Sequence, residues 1–128
     1  MAQREFDKQL AATLWERIQL STSNHRLYPK QQQGGVLFVG YADFTVSLDG
    51  IPLLCLPGNS IKLMGDQLHF DPKAEKARDG SPRWFPLWFP VSGEVRAVLT
   101  EKLKVEERIV EMCHDAVAQV NQAAAYNS

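Results

Sequence analysis

Apolar positions along this chain change period twice. Over residues 3–20, Phe6, Leu10, Leu14 and Ile18 recur at four-residue steps, and Ala11 and Trp15 widen the stripe. Arg4, Lys8, Glu16 and Arg17 fall mainly off that face. The spacing predicts an amphipathic helix, ended by Ser21-Thr22-Ser23-Asn24, whose side chains compete for backbone hydrogen bonds. A helix of this length is marginal alone, so its stripe must dock, either on its own domain or on a second copy. Residues 25–30 read as a short extended piece, because Pro29 holds Tyr28 away from helical angles. Residues 31–35 read as a flexible turn.

From Val36 to Leu48 the period shortens to two. Val36, Phe38, Ala42, Phe44, Val46 and Leu48 share one face, with Asp43, Thr45 and Ser47 on the other, which predicts a long strand. Gly40 falls on the apolar face and points to a bulge or a close approach by another backbone. Asp49-Gly50 is the strongest hairpin signal, since a tight turn needs left-handed angles that these residues tolerate. Residues 51–56 then pair back, with Pro52 hinting at an edge position. Residues 57–60 turn again, and residues 61–64 and 67–70 form a second small hairpin about Gly65-Asp66. After Ser92 the helical period returns. Pro90, Ser92 and Glu94 mark a start, and Val95, Leu99 and Leu103 form a stripe. Ile109, Met112, Cys113, Ala116, Val117 and Val120 continue it out of phase, so a bend near residues 100–105 is expected. Residues 123–128 are expected to fray. The predicted fold is α+β and a single domain over 1–128. It has an N-terminal helix (3–20), a small antiparallel sheet of three to five strands (36–70), a connecting loop (71–91) and C-terminal helices (92–123).

Composition narrows the functions. With 14 Lys and Arg against 15 Asp and Glu, the net charge is −1, so nucleic-acid affinity would have to come from a local patch. No apolar run approaches the roughly 20 residues that cross a bilayer, and residues 1–8 are charged rather than signal-like; a cytoplasmic protein is expected. Cys55 and Cys113, the two cysteines, are expected as buried reduced thiols rather than a disulfide. Metal binding has little support, because His25, His69 and His114 are far apart and adjacent Cys113 and His114 cannot share one helical face. Glu106, Glu107 and Glu111 read as a solvated helix face, and no glycine-rich phosphate loop is present. Neither a catalytic site nor a cofactor is expected.

Between sheet and helix, residues 71–90 set four cations, Lys73, Lys76, Arg78 and Arg83, ahead of four aromatics, Trp84, Phe85, Trp88 and Phe89. Arg96, Lys102 and Lys104 follow on the helix, and Asp71, Glu75 and Asp79 dilute the field. Cations beside stacking surfaces suit single-stranded nucleic acid, because phosphates attract charge and bases stack on flat rings. A connecting loop whose aromatics cap the core is the commoner outcome for such a stretch. Four exposed rings are costly, so Phe85 and Phe89 are expected inside, with part of Trp84 or Trp88 at the surface.

At these residues the chain resembles the sporulation protein G (SpoVG) family of small bacterial nucleic-acid-binding regulators. The similarity runs over residues 36–99. It takes in Thr45-Val46-Ser47-Leu48, the hairpins that follow, Asp71-Pro72-Lys73, Asp79-Gly80, Arg83, Pro90 and the helix bearing Arg96. Phe89-Pro90 stands where the family has His-Pro, and residues 3–20 have no counterpart. The resemblance implies a homodimer joined through strands, with Lys73, Lys76, Arg78, Arg83 and Arg96 contacting phosphate or sugar. Two functions follow as expectations. One is a DNA- or RNA-binding regulator using those residues and Trp84; the other is a protein-interaction module docking through the N-terminal helix or the aromatic loop.

Overall fold

The computed structural model describes the backbone of residues 2–126 and the side chains of residues 8–125. Helix α1 (Ala2–Arg17) leads into β1 (Ile18–Gln31), and β2 (Val36–Leu48), β3 (Ile51–Met64) and β4 (Gln67–Asp71) follow. These four strands pair in sequence order as one antiparallel sheet. A two-stranded ribbon, β5 (Ala74–Lys76) and β6 (Trp84–Pro86), comes next, then α2 (Gly93–Lys104) and α3 (Glu107–Tyr126). The fold is α+β.

The first helix stops three residues earlier than its spacing predicts, and residues 18–31 become a strand. Leu20 and Thr22 are buried while Gln19 and Ser21 are exposed, a period of two that the four-residue stripe through Ile18 conceals. The backbone groups of the long β2 need a partner on this side, and β1 supplies it from Ile18 opposite Leu48 to Gln31 opposite Leu37. The junction is tied down. Asp49 N–H donates to the Arg17 carbonyl at 2.9 Å, and Arg17 Nη2 meets Asp49 Oδ2 at 2.7 Å. Lys102 of α2 donates to the carbonyls of Trp15 at 2.9 Å and Ile18 at 2.8 Å, placing a cation on the orphan acceptors at a helix C-terminus. Leu10 and Leu14 on α1 are exposed, so this part of the stripe is uncovered; the side chain of Phe6 lies outside those described.

The Asp49-Gly50 turn forms as expected, with φ of 50° and 81°. Residues 51–64 make one continuous strand rather than two short ones. The expected turn at 57–60 is absorbed as a bulge, with Gly58 at φ 69° and a register shift against β2 between Ala42 and Phe44. Strand β1 bulges across the same part of β2, where Asn24 takes φ 50°. Between the two bulges stands Asp43, whose carboxylate accepts from Asn24 Nδ2 at 2.7 Å and from Gly58 N–H at 2.8 Å. These bonds, led by Asn24, hold the Asp43 carboxyl below its ordinary pKa.

A third irregularity reverses the predicted faces in the first half of β2. Val39 and Gly40 together oppose Ile61, so Leu37 and Val39 point inward and Phe38 outward. Gly40 is required here: a Cβ would lie 2.0 Å from the Arg26 carbonyl oxygen and 2.7 Å from Met112 Cε. Both readings of this glycine, bulge and close approach, hold.

The inner face of the sheet carries Leu20, Leu37, Val39, Ala42, Phe44, Ile61, Leu68 and Phe70, covered by Leu99 and Leu103 of α2 and Ile109, Met112 and Ala116 of α3. Ser92 caps α2 by accepting from Val95 N–H at 3.3 Å. The expected bend falls at Val105–Glu106, between the helices. Glu106 is not solvated as its charge suggested: Oε2 accepts from the Thr22 hydroxyl, which also lies 2.6 Å from His25 Nε2. Residues 123–126, expected to fray, continue α3, and the rest of that tail lies outside the described residues. Among the described residues, no helix is long and apolar enough to cross a membrane.

Two outcomes test this architecture. Asp43→Ala should lower unfolding free energy near neutral pH by about 1–3 kcal/mol in urea titration, as two bonds to a charged acceptor disappear. The depressed carboxyl pKa means that this contribution is present above the unfolded value of about 3.9 and lost as pH falls through the folded one. The variant's acid limb should therefore be flatter than that of wild type. Gly40→Val should cost at least about 1–3 kcal/mol, because backbone and a packed methionine must both move.

Candidate nucleic-acid interface

The stretch expected as a loop is a ribbon with a built tip. Ala74, Glu75 and Lys76 pair with Pro86, Phe85 and Trp84, and two further backbone bonds extend the ladder, Ala77 N–H to the Arg83 carbonyl and Leu87 N–H to the Lys73 carbonyl, both at 2.8 Å. At the tip Asp79 accepts from Ser81 N–H at 3.0 Å, while Gly80 takes φ 82°, a side-chain-mimicked turn. Arg83 closes it, donating from Nη2 to Asp79 at 2.8 Å and from Nε to Ser81 Oγ at 3.1 Å. The Ser81 bonds, then Arg83, draw the Asp79 carboxyl below its ordinary pKa.

One aromatic staples the ribbon to the core, and it is not one of those expected there. Trp88 stacks on Phe70 at 5.9 Å with an interplanar angle of 11° and meets Phe44 edge-on at 6.4 Å. Its Nε1 donates to Asn59 Oδ1 at 2.7 Å. Asn59 is fully buried, and its own amide donates to the carbonyls of Leu56 and Ala42. A tryptophan can satisfy that oxygen and a phenylalanine cannot, which is why the inward position takes Trp88. Phe85 and Phe89, predicted inside, stand 52% and 66% exposed, beside Trp84 at 63%.

The cations divide into three groups. Lys76, Arg78 and Arg83 line one groove of about 340 Å³ on the ribbon, with Glu75, Asp79 and Phe85. The side chains of Lys76 and Arg78 have no ion-pair or hydrogen-bond partner among the described residues. Arg83 is paired, yet its Nη1 is unused, and its guanidinium sits 5.6 Å from the Phe85 ring centre. In register, Lys76 stands opposite Trp84, so an ammonium and an indole share one ribbon face. Lys73 lies apart from this groove, at the ribbon's base, its stem against Gly58 in a cleft of about 570 Å³ with Arg26 and Asp43. Arg96 turns inward, donating to the Phe70 carbonyl at 2.8 Å with its guanidinium 4.9 Å from the Phe70 ring centre. It fastens α2 to β4, and Lys102 is likewise occupied at the α1 junction.

Other chemistry is sparse. Cys113 is half-buried, and burial pushes its thiol up to about 11, which keeps it protonated and non-nucleophilic at neutral pH. Cys55, expected buried, is exposed on β3. Among the described residues no group of three or more His, Cys, Asp or Glu side chains is placed to hold a metal ion. The outward residue that the two-residue alternation concealed is Phe38 on β2, its ring 5.2 Å from that of Tyr41, with Arg26 over Tyr41 at 5.5 Å. The misplaced glycine at residue 40 was the signal that could have found it.

Compared with known protein families, characterised proteins and solved structures, this chain matches none of them.

Trp88→Phe should leave the buried Asn59 oxygen unpaired and cost about 1–3 kcal/mol, and should loosen the ribbon. Faster amide exchange at Ala77 and Leu87, with β2 unchanged, is the expected reading.

Proposed function

We propose that this chain is a non-catalytic cytoplasmic regulator that binds DNA or RNA through the β5–β6 ribbon with little sequence discrimination. The observation that carries this reading is the placing of Lys76 and Arg78, whose side chains are unpaired among the described residues, beside two exposed rings, Trp84 and Phe85, on a ribbon fixed to the core through Trp88, with a third exposed ring, Phe89, just beyond it. Phosphates are met by the cations, and unpaired bases stack on the rings. A net charge of −1 counts against tight nonspecific binding and leaves the affinity to this local patch, where Asp79 is engaged in building the tip and Glu75 shares the groove. The order Asp71-Pro72-Lys73, Asp79-Gly80, Arg83, Pro90, which resembles the SpoVG family, supports the same reading. A homodimer, which that resemblance implies, belongs to the proposal and is read by sedimentation. Lys73 sits at the edge of this interface and Arg96 supports it from within.

A second reading has an observation of its own. Leu10 and Leu14 are exposed on α1, and Ile51, Leu53 and Leu54 are exposed at the far end of β3. Such apolar surface suits a protein-interaction module.

Fluorescence titration with labelled DNA and RNA at two salt concentrations separates the two. The Lys76→Ala, Arg78→Ala, Arg83→Ala triple variant should remain folded, bind more weakly, and show a log–log salt slope shallower by about 2 to 3. Unchanged affinity in the folded variant removes the ribbon from the interface. Absence of binding by wild type at low salt favours the protein-interaction reading.

A further inference from the structure

Helices α2 and α3 cover one face of the sheet, and the other face carries an ordered array of rings and cations. Register sets it out as rows across the strands. Lys30, Phe38, Lys62 and His69 stand side by side on β1 to β4, and Arg26, Tyr41 and Ser60 form the next row on β1 to β3. Tyr28 lies between the rows on β1, with the same outward parity as Arg26 and Lys30, and is 66% exposed; Tyr41 is 40% exposed. Phe38 and Tyr41 are packed edge to face, so the rings are held rather than free to collapse onto the surface. Two carboxylates border the array and both are engaged. Asp43 is taken by Asn24 and Gly58, with Arg26 at 3.8 Å, and Asp71 pairs with Lys62 at 2.8 Å.

We infer that this open sheet face is a stacking platform for single-stranded nucleic acid, continuous with the ribbon by way of Lys73. The inference rests on the nucleic-acid reading above and narrows it to a substrate class. Rings lying along a sheet can be reached only by bases that are unstacked and unpaired, whereas a duplex offers its phosphates alone. Lys30 flanks the rings on β1 with no ion-pair partner among the described residues, and Arg26 on β1 and Lys62 on β3, each beside a bordering carboxylate, add charge that complements a backbone running beside stacked bases. Lys73 opens the ribbon and shares a cleft with Arg26, so a cation stands between the two surfaces.

The test uses the full chain with single-stranded DNA and RNA of about 12 nucleotides and a duplex of the same length, read by fluorescence anisotropy. Tyr28→Ala with Tyr41→Ala should weaken single-strand binding by at least about fivefold and leave duplex binding unchanged, while Tyr28→Phe with Tyr41→Phe restores the affinity. The ribbon triple variant should weaken both. If the alanine pair binds single strands like wild type while the ribbon variant loses affinity, the platform is refuted and the ribbon reading stands. Equal wild-type affinity for single strand and duplex also refutes the platform. Should wild type bind neither, both readings fall. Circular dichroism of the alanine pair confirms folding; should it unfold, Arg26→Gln with Lys30→Gln takes its place, and an unchanged single-strand affinity there refutes the platform equally.

Discussion

Three neighbouring strands of 14, 13 and 14 residues stay paired along their length only because their ladders are interrupted by bulges where β1, β2 and β3 run together. The Asp43 carboxylate ties together two of those interruptions. It stands on the central strand and reaches the bulge on each side, Asn24 of β1 and Gly58 of β3. A few residues away, the missing side chain of Gly40 lets the Arg26 carbonyl and Met112 close in. The result is an inner face that receives α2 and α3 and an outer face with Phe38 and Tyr41 turned outward.

The same economy of polar groups governs the ribbon. A segment with three exposed rings and a run of cations has little apolar area with which to dock itself. Its attachment comes from one side chain able to do two things, bury a large ring against Phe70 and Phe44 and satisfy a buried amide oxygen. Arg96 does similar work on Phe70, lying over its ring and donating to its carbonyl. Cations in this chain therefore split by role. Arg96, Lys102 and Arg17 complete backbone and carboxylate contacts within the fold, while Lys73, Lys76 and Arg78 keep their charge outward. A near-zero net charge thus conceals a division of labour among the cations, although Glu75 and Asp79 share the ribbon groove with Lys76, Arg78 and Arg83.

Much of this was legible in the chain itself. The helical period after Ser92, the two-residue period of β2, the Asp49-Gly50 turn and the suspicion attached to Gly40 all follow from local chemistry, because spacing and turn angles are properties of neighbouring residues. The end of α1, the unbroken β3 and the inward tryptophan were not legible. Ile18 fits a helical stripe and a strand equally well, and only the unpaired edge of β2 decides for the strand. Pro57-Gly58 reads as a turn until Asp43, fourteen or more positions earlier, bonds to it. Four aromatics in a row look alike until Asn59 supplies an acceptor that only an indole can use. Sequence by itself determined which segments are helical or extended and where charge and rings concentrate. Tertiary structure alone decided which ring is buried and which cations stay free, because those choices depend on partners brought together from distant parts of the chain.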